Sequence, residues 1–126
     1  MAWELGNELG GWNGPAPPSE WTLDISSYIK QNAVQLVADG TLGAFGNGYW
    51  TQEALNSPLV DMFSNHYYNG YSDISHMNTD AAYISSYGKV MFNGEFGLTE
   101  TSTIESFYKA TISNSAISGS LIWSLR

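Results

Sequence analysis

The sequence predicts an α/β fold in which helices alternate with the strands of a mostly parallel sheet. Segments rich in strand-forming residues alternate along the chain with segments of helical periodicity. Polar residues able to do chemistry stand at the C-terminal ends of the apparent strands. No repeat, low-complexity tract or linker divides the 126 residues. We therefore expect one domain over residues 1–126.

The first third of the chain predicts a loop, a helix and a strand. Residues 2–8 are too short for a firm strand prediction, and the Gly- and Pro-rich segment 10–20 is a loop. Residues 35–43 predict a strand that runs into a glycine turn. Between them, apolar residues recur at the spacing of one helix face: Trp21, Ile25, Tyr28 and Ile29.

The middle of the chain predicts two further strands, each preceded by a helix. Residues 51–57 predict a short helix, which Pro58 ends. Residues 59–68 are rich in strand formers and predict the next strand. Residues 72–88 then predict a helix and residues 89–97 a strand.

The last third predicts one more helix and a closing strand. Ser102 and Glu105 form a capping box that would open the helix. Residues 117–126 predict the strand. The helix would present one apolar face, made by Ile104, Phe107, Tyr108 and Ile112.

The charge and the absence of cysteine exclude several classes of function. Four Lys and Arg against twelve Asp and Glu give a formal net charge of −8, which repels phosphate backbones and anionic membranes. Without cysteine there is no disulfide, thiol nucleophile or thiolate metal site. No apolar run reaches the ~20 residues of a membrane span, and no basic-then-apolar signal segment opens the chain. We expect no nucleic-acid or membrane partner.

Two carboxylates at the ends of two predicted strands are the candidate catalytic groups. Glu8 and Glu95 stand where the active site of an α/β barrel is built. A pair of acids on either side of a bond is what glycoside hydrolysis requires. A separation of ~5–5.5 Å would indicate retention of configuration, and ~6.5–9.5 Å would indicate inversion.

Four more residues are candidates for substrate contacts. His66 and Tyr68 lie two residues apart, so on a strand they share a face and could hold a carboxylate. Asn7 could donate to a sugar hydroxyl, and Trp123 offers an apolar plane for a sugar ring. On pattern alone three kinds of candidate have a structural alternative: the two glutamates could be paired acids, His66 a hydrogen-bonded structural histidine, and Trp123 a core residue. Glu4 is interpreted as a solvated residue.

No metal or cofactor is expected. The two histidines are distant in sequence, and no HExxH motif is present. The glycine-rich segment 40–48 lacks a lysine and does not match a phosphate loop.

Four motifs in order, AWELGNEL, FSNHYY, FNGEFGL and GSLIWSLR, resemble the later strands of glycoside hydrolase family 5. The resemblance is greatest to fungal β-mannanase-like and related β-1,4-glycan hydrolases. It implies a (β/α)8 barrel and a retaining, double-displacement mechanism without a cofactor. Because a full barrel takes ~250 residues, we expect a partial barrel made of strands four to eight.

The resemblance also assigns roles to the candidate residues. Glu8 would be the acid/base and Glu95 the nucleophile, with Tyr68 near the nucleophile. The resemblance gives the other three as substrate contacts: Asn7 at the sugar 2-hydroxyl, His66 in the His-x-Tyr motif, and Trp123 as a sugar platform.

A partial barrel has consequences for activity and assembly. The family's active-site Arg and an additional His lie on the first three strands, so we expect the hydrolase assignment to describe ancestry better than turnover. Barrel-facing residues, among them Trp3, Leu36, Met62 and Val90, would lack an opposite wall, and the outer strands would be open edges. We therefore expect a homo-oligomer formed through the exposed barrel edges.

The sequence leaves other functions open. One alternative is a carbohydrate-binding protein on a truncated hydrolase scaffold; another is a non-catalytic assembly fragment. In the carbohydrate-binding alternative, sugar would be bound by aromatic residues: Trp12, Trp50, Tyr67, Tyr68 and Trp123. The expected partner is a poly- or oligosaccharide, with mannan favoured and glucan possible. Family 5 enzymes of this type are mostly secreted, so the resemblance implies an extracellular protein.

Overall fold

The computed structural model describes residues 1–11, 14–42 and 50–124. Within these ranges five strands alternate with four helices, as the sequence predicts. The elements are β1 (Ala2–Glu4), α1 (Ser19–Asn32), β2 (Leu36–Asp39), α2 (Gln52–Asn56), β3 (Met62–Tyr67), α3 (Tyr71–Ser85), β4 (Val90–Gly97), α4 (Thr101–Ser113) and β5 (Ile117–Trp123).

The strands form one sheet in the order β1-β2-β3-β4-β5, and every neighbouring pair is parallel. Each strand thus lies beside the one that precedes it in the chain, as in successive βα units of a barrel. Five parallel strands alternating with helices form a half-barrel, which confirms the predicted fold class. Within the described ranges, β1 and β5 are the outer strands of the sheet.

The hydrophobic core lies between the sheet and the helices on its convex face. Alternate residues of β3 and β4 point into it, and α3 and α4 cover them. The largest side chains of this core are fully buried: Phe63, Tyr67, Met77, Ile84, Met91, Phe96 and Phe107.

The opposite face of the sheet is concave. A groove of about 590 Å³ runs across it and is lined from all five strands, by Ala2 and Glu4, Leu36 and Ala38, Met62, Phe92, and Ser118 and Leu121. Leu36 and Met62 therefore face the barrel side as expected, and Val90 shares the face of Phe92 two residues on. The expectation for Trp3 is wrong: it alternates with Ala2 and Glu4 and so points to the other side.

Two local expectations differ from the structure. α4 begins at Thr101 after Glu100, without a side-chain capping bond, so Ser102 is already inside the helix. α1 begins at Ser19, inside the segment predicted as a loop, and its predicted apolar face is not buried: Trp21, Ile25 and Tyr28 are 38–68% exposed. The residues it buries are two small ones, Thr22 and Ser26, because they allow the helix to approach its neighbours closely.

Candidate functional site

A β-bulge brings Glu95 next to His66. The strands β3 and β4 pair Asn65 with Asn93, but the next pair is His66 with Glu95, so Gly94 is an extra residue in β4. In a regular ladder Gly94 would stand opposite His66, and Glu95 would point to the helix side with Asn93. The one-residue shift turns the carboxylate onto the concave face.

Glu8 reaches the same place from a bend rather than from a strand. β1 ends at Glu4, earlier than the predicted strand end, and the chain continues beside the end of β2. The N–H of Leu9 donates to the carbonyl of Gly40 at 3.0 Å. A Cβ on Gly40 would lie only 1.9 Å from the carbonyl oxygen of Gly6, so this approach requires glycine. Glu8 itself has φ 50°, a conformation uncommon outside glycine.

The imidazole of His66 lies between the two glutamates. Its Nδ1 is 2.9 Å from Oε1 of Glu8 and 3.5 Å from Oε2 of Glu95. The Tyr68 hydroxyl donates to the same Oε2 of Glu95 at 2.6 Å. The histidine side chain is 6% exposed, whereas the side chains of Glu8 and Glu95 are 28% and 21% exposed. The imidazole is thus buried, whereas the two carboxylates remain accessible to a ligand.

The local electrostatics keep Tyr68 a hydrogen-bond donor. Desolvation, followed by the hydrogen bond to Glu95 and the charges of both glutamates, raises the pKa of the Tyr68 phenol. Its proton therefore stays on the phenol at neutral pH. One oxygen of Glu95 is fixed by this bond.

Glu4 and Ser64 form a second polar pair on the concave face, which the sequence analysis missed. The Ser64 hydroxyl donates to the Glu4 carboxylate. Although Glu4 as a residue is exposed, partial desolvation raises the pKa of its carboxyl group, and the Ser64 bond opposes that rise. Glu4 is exposed, in agreement with its interpretation as a solvated residue, and it also accepts the Ser64 bond; its period-2 spacing from Ala2 could have indicated the concave face.

The three groups Glu8, His66 and Glu95 also offer a donor set for a cation. One ligand atom from each lies within 4.8 Å of the other two, and nitrogen with carboxylate oxygen donors suits a divalent transition metal. Sequence spacing could not reveal this set, because its members come from three separate segments. The same arrangement can pass a proton between an imidazole and two carboxylates.

The remaining predicted residues lie at the rim. Asn7 precedes Glu8 and is exposed. Trp123 is 54% exposed at the end of β5, opposite Gly97, so it stands about 7 Å further along the sheet than Glu95. Of the aromatics considered for sugar binding, Trp50 and Tyr67 are 5% and 0% exposed and belong to the core, and Trp12 lies outside the described residues.

No protein-family model and no curated protein matches the sequence. Solved structures do match its fold. The endo-1,4-β-mannanase from Rhizomucor miehei superposes with a TM-score of 0.69 at 20% identity, over 86% of this chain and 37% of that one. The glycoside hydrolase family 5 mannosidase from the same fungus gives 0.68 at 19% identity, over 98% of this chain and 39% of that one.

A variant of that mannosidase in complex with mannosyl-fructose gives a TM-score of 0.64 at 20% identity. The likeness at this identity concerns the fold. The chain spans about two fifths of the length of these structures, so it corresponds to part of a family 5 type barrel. No helix in the described ranges has the length and apolar character needed to cross a membrane.

Proposed function

We propose that this chain carries the carboxylate pair of a retaining hydrolase for β-1,4-linked polysaccharide. The observation that carries the proposal is the geometry of Glu8 and Glu95, whose nearest oxygens lie within 4.8 Å of each other around His66. This upper limit favours the close spacing of ~5–5.5 Å that accompanies retention over the ~6.5–9.5 Å of inverting pairs.

The roles follow from which oxygen each partner fixes. Glu95 has Oε2 held by Tyr68, which leaves its other oxygen to attack the anomeric carbon. Glu8 transfers its proton to the glycosidic oxygen, the bond to the leaving sugar breaks, and a glycosyl ester forms on Glu95. Glu8 then takes a proton from water, whose oxygen displaces Glu95 and restores both carboxyl groups.

The rim residues supply contacts to the sugar. We assign to Asn7, which is exposed next to Glu8, the donation of a hydrogen bond to a hydroxyl of the ring. Trp123 presents an exposed indole, on which an apolar sugar face can stack. His66 contacts Glu8 and Glu95 through the same Nδ1 and would thereby fix the separation of the two carboxylates.

We favour mannan over glucan as the substrate and an extracellular location. The solved structures with this fold are a mannanase and a mannosidase. The formal charge of −8 is compatible with an uncharged polysaccharide. Because the chain spans two fifths of those proteins, we expect turnover by the chain alone to be weak.

The test is reducing-sugar release from soluble β-mannan and β-1,4-glucan. Glu95→Gln and Glu8→Gln should abolish it, because each removes one of the two reacting groups while nearly preserving shape. Glu105→Gln is the matched control: Glu105 is exposed on α4 and pairs with Lys109. Release that is unchanged in Glu95→Gln would contradict the proposal.

The alternative is sugar binding without catalysis, which the exposure of Trp123 favours. Retention on a mannan column would then survive Glu8→Gln and Glu95→Gln together and would be lost in Trp123→Ala. Loss of retention in the double variant would instead favour the catalytic pair as the main contact.

We also propose that a second copy of the chain covers the concave face. The groove has Leu36, Met62 and Leu121 in its lining, and the outer strands β1 and β5 have open backbone edges within the described ranges. Light scattering after size-exclusion chromatography should give twice the mass of one chain. A compact monomer at micromolar concentration would contradict this assembly.

A further inference from the structure

We propose that Asn65 and Asp80 are positioning residues that hold His66 between the two glutamates. Both lie on the helix side of the sheet, remote from any substrate. Asn65 belongs to β3 and is 1% exposed, and Asp80 belongs to α3 and is 8% exposed. They act through the backbone of His66.

The first contact lies at the bulge. The register of β3 and β4 shifts between Asn65 and His66, where a bulge disrupts the regular ladder. At this point the backbone N–H of His66 donates to Oδ1 of Asn65 at 2.9 Å. The side chain of one residue therefore fixes the backbone of the next, which carries the imidazole.

The second contact fixes the amide of Asn65. Its Nδ2 donates to Oδ2 of Asp80 at 2.9 Å, and the Tyr67 hydroxyl donates to the same oxygen at 2.6 Å. The amide has one orientation that satisfies both neighbours, because a flipped amide would place its oxygen against the carboxylate. Burial raises the pKa of Asp80, and the bonds from Tyr67 and Asn65 oppose that rise.

A displacement of the His66 backbone changes the position of its imidazole directly. His66 is 7% exposed, so its ring cannot correct a backbone displacement by rotating freely. A shift of the backbone would move Nδ1 away from Glu8 and Glu95 together. The catalytic meaning of this positioning rests on the proposed function, whereas the hydrogen-bonded geometry of His66 can be measured without turnover.

The experiment observes the Nδ1 proton of His66 by NMR. A proton held between imidazole and carboxylate resonates far downfield and is visible only while it is protected from exchange with water. His66→Gln assigns the signal. Asn65→Asp sets two carboxylates against each other and should remove the signal. Combining Asn65→Asp with Asp80→Asn restores the bond between positions 65 and 80 with donor and acceptor exchanged, keeps an oxygen at position 65 to accept from the His66 N–H, and should restore the signal.

Tyr67→Phe is the matched control. It removes a buried bond to Asp80 and should lower the thermal stability, but it leaves the contact between Asn65 and His66 intact and should retain the signal. Four results would each overturn the inference. The signal could be absent in the wild type, or it could persist in Asn65→Asp. It could also fail to return in the exchanged pair, or be lost in Tyr67→Phe. If wild-type protein shows the signal but no sugar release, the proposed function fails and the positioning stands.

Discussion

Replacing Gly94 by alanine tests whether the bulge and the His66 ring are packed as tightly as the structure shows. A Cβ at Gly94 would lie 3.0 Å from Nε2 and 3.1 Å from Cδ2 of His66, and 3.3 Å from Cβ of Ser64. The closest of these contacts is about 0.4 Å shorter than the 3.4 Å at which ordinary van der Waals contact begins. Because the ring is nearly buried, it must move toward the glutamates or the bulge must open.

The expected cost has two parts. Overpacking of a filled site costs ~1–3 kcal/mol, and the loss of unfolded-state freedom on replacing glycine returns ~0.4–1 kcal/mol. We therefore expect Gly94→Ala to lower the free energy of unfolding by about 1.3 kcal/mol, the difference between the middles of the two ranges. At ~10²-fold in rate per Å, a displacement of about 0.4 Å should reduce sugar release roughly sixfold.

Gly119→Ala is the control, because a Cβ at Gly119 in β5 would meet no atom within 4 Å. It should raise the free energy of unfolding by ~0.4–1 kcal/mol through the unfolded state alone. Urea denaturation of the two variants gives both values, and opposite signs are expected. Equal stabilisation by both substitutions would refute the tight packing of Gly94 against His66.

Three further predictions concern burial, pH and the site. Asn93 is 0% exposed, and neither polar atom of its amide has a partner among the described residues, so Asn93→Leu should raise the free energy of unfolding by about 1 kcal/mol in urea denaturation. A decrease would show that the amide makes a stabilising bond. Burial raises the pKa of the Asp39 carboxyl group above its ordinary value of 3.8, so the folded state binds a proton at Asp39 more tightly than the unfolded chain does. Lowering the pH toward 3.8 protonates Asp39 in the folded state and removes the cost of burying its charge. The urea midpoint should therefore rise as the pH is lowered from 7 toward 3.8, and Asp39→Asn should reduce that rise. An identical pH dependence in the variant would contradict the assignment. Tyr68→Phe should lower kcat/KM on β-mannan roughly tenfold or more, since a hydrogen bond to a charged group contributes ~1.5–3 kcal/mol. Tyr108→Phe on α4 should leave it unchanged, and a Tyr68→Phe variant as active as the wild type would remove the tyrosine from the proposed mechanism.

The site residues differ in how far the sequence could place them. His66 and Tyr68 share a face because they are two apart, His66 in β3 and Tyr68 directly after its end, and the structure has both beside Glu95. Strict alternation would group Glu95 with Met91 and Asn93, whose side chains are buried on the helix side. Only the extra residue at Gly94 reverses this, and a bulge depends on the pairing with the neighbouring strand.

Other features depended on partners that are distant along the chain. The bond between Ser64 and Glu4 spans 60 residues, and that between Asn65 and Asp80 joins a strand to a helix. The start of α4 at Thr101 shows the same limit: the residues permitted a capping box with Ser102 as the N-cap, but the N-cap is Glu100 and the helix begins two residues earlier.

The sequence by itself determined the order of strands and helices and the position of polar residues at the strand ends. Periodicity and turn residues are local properties, which each segment carries in its own side chains. The tertiary structure decided which of the carboxylates meet, at what distance, and what holds the histidine between them. Those features arise from hydrogen-bond register and close backbone approach between segments, and no single segment encodes them.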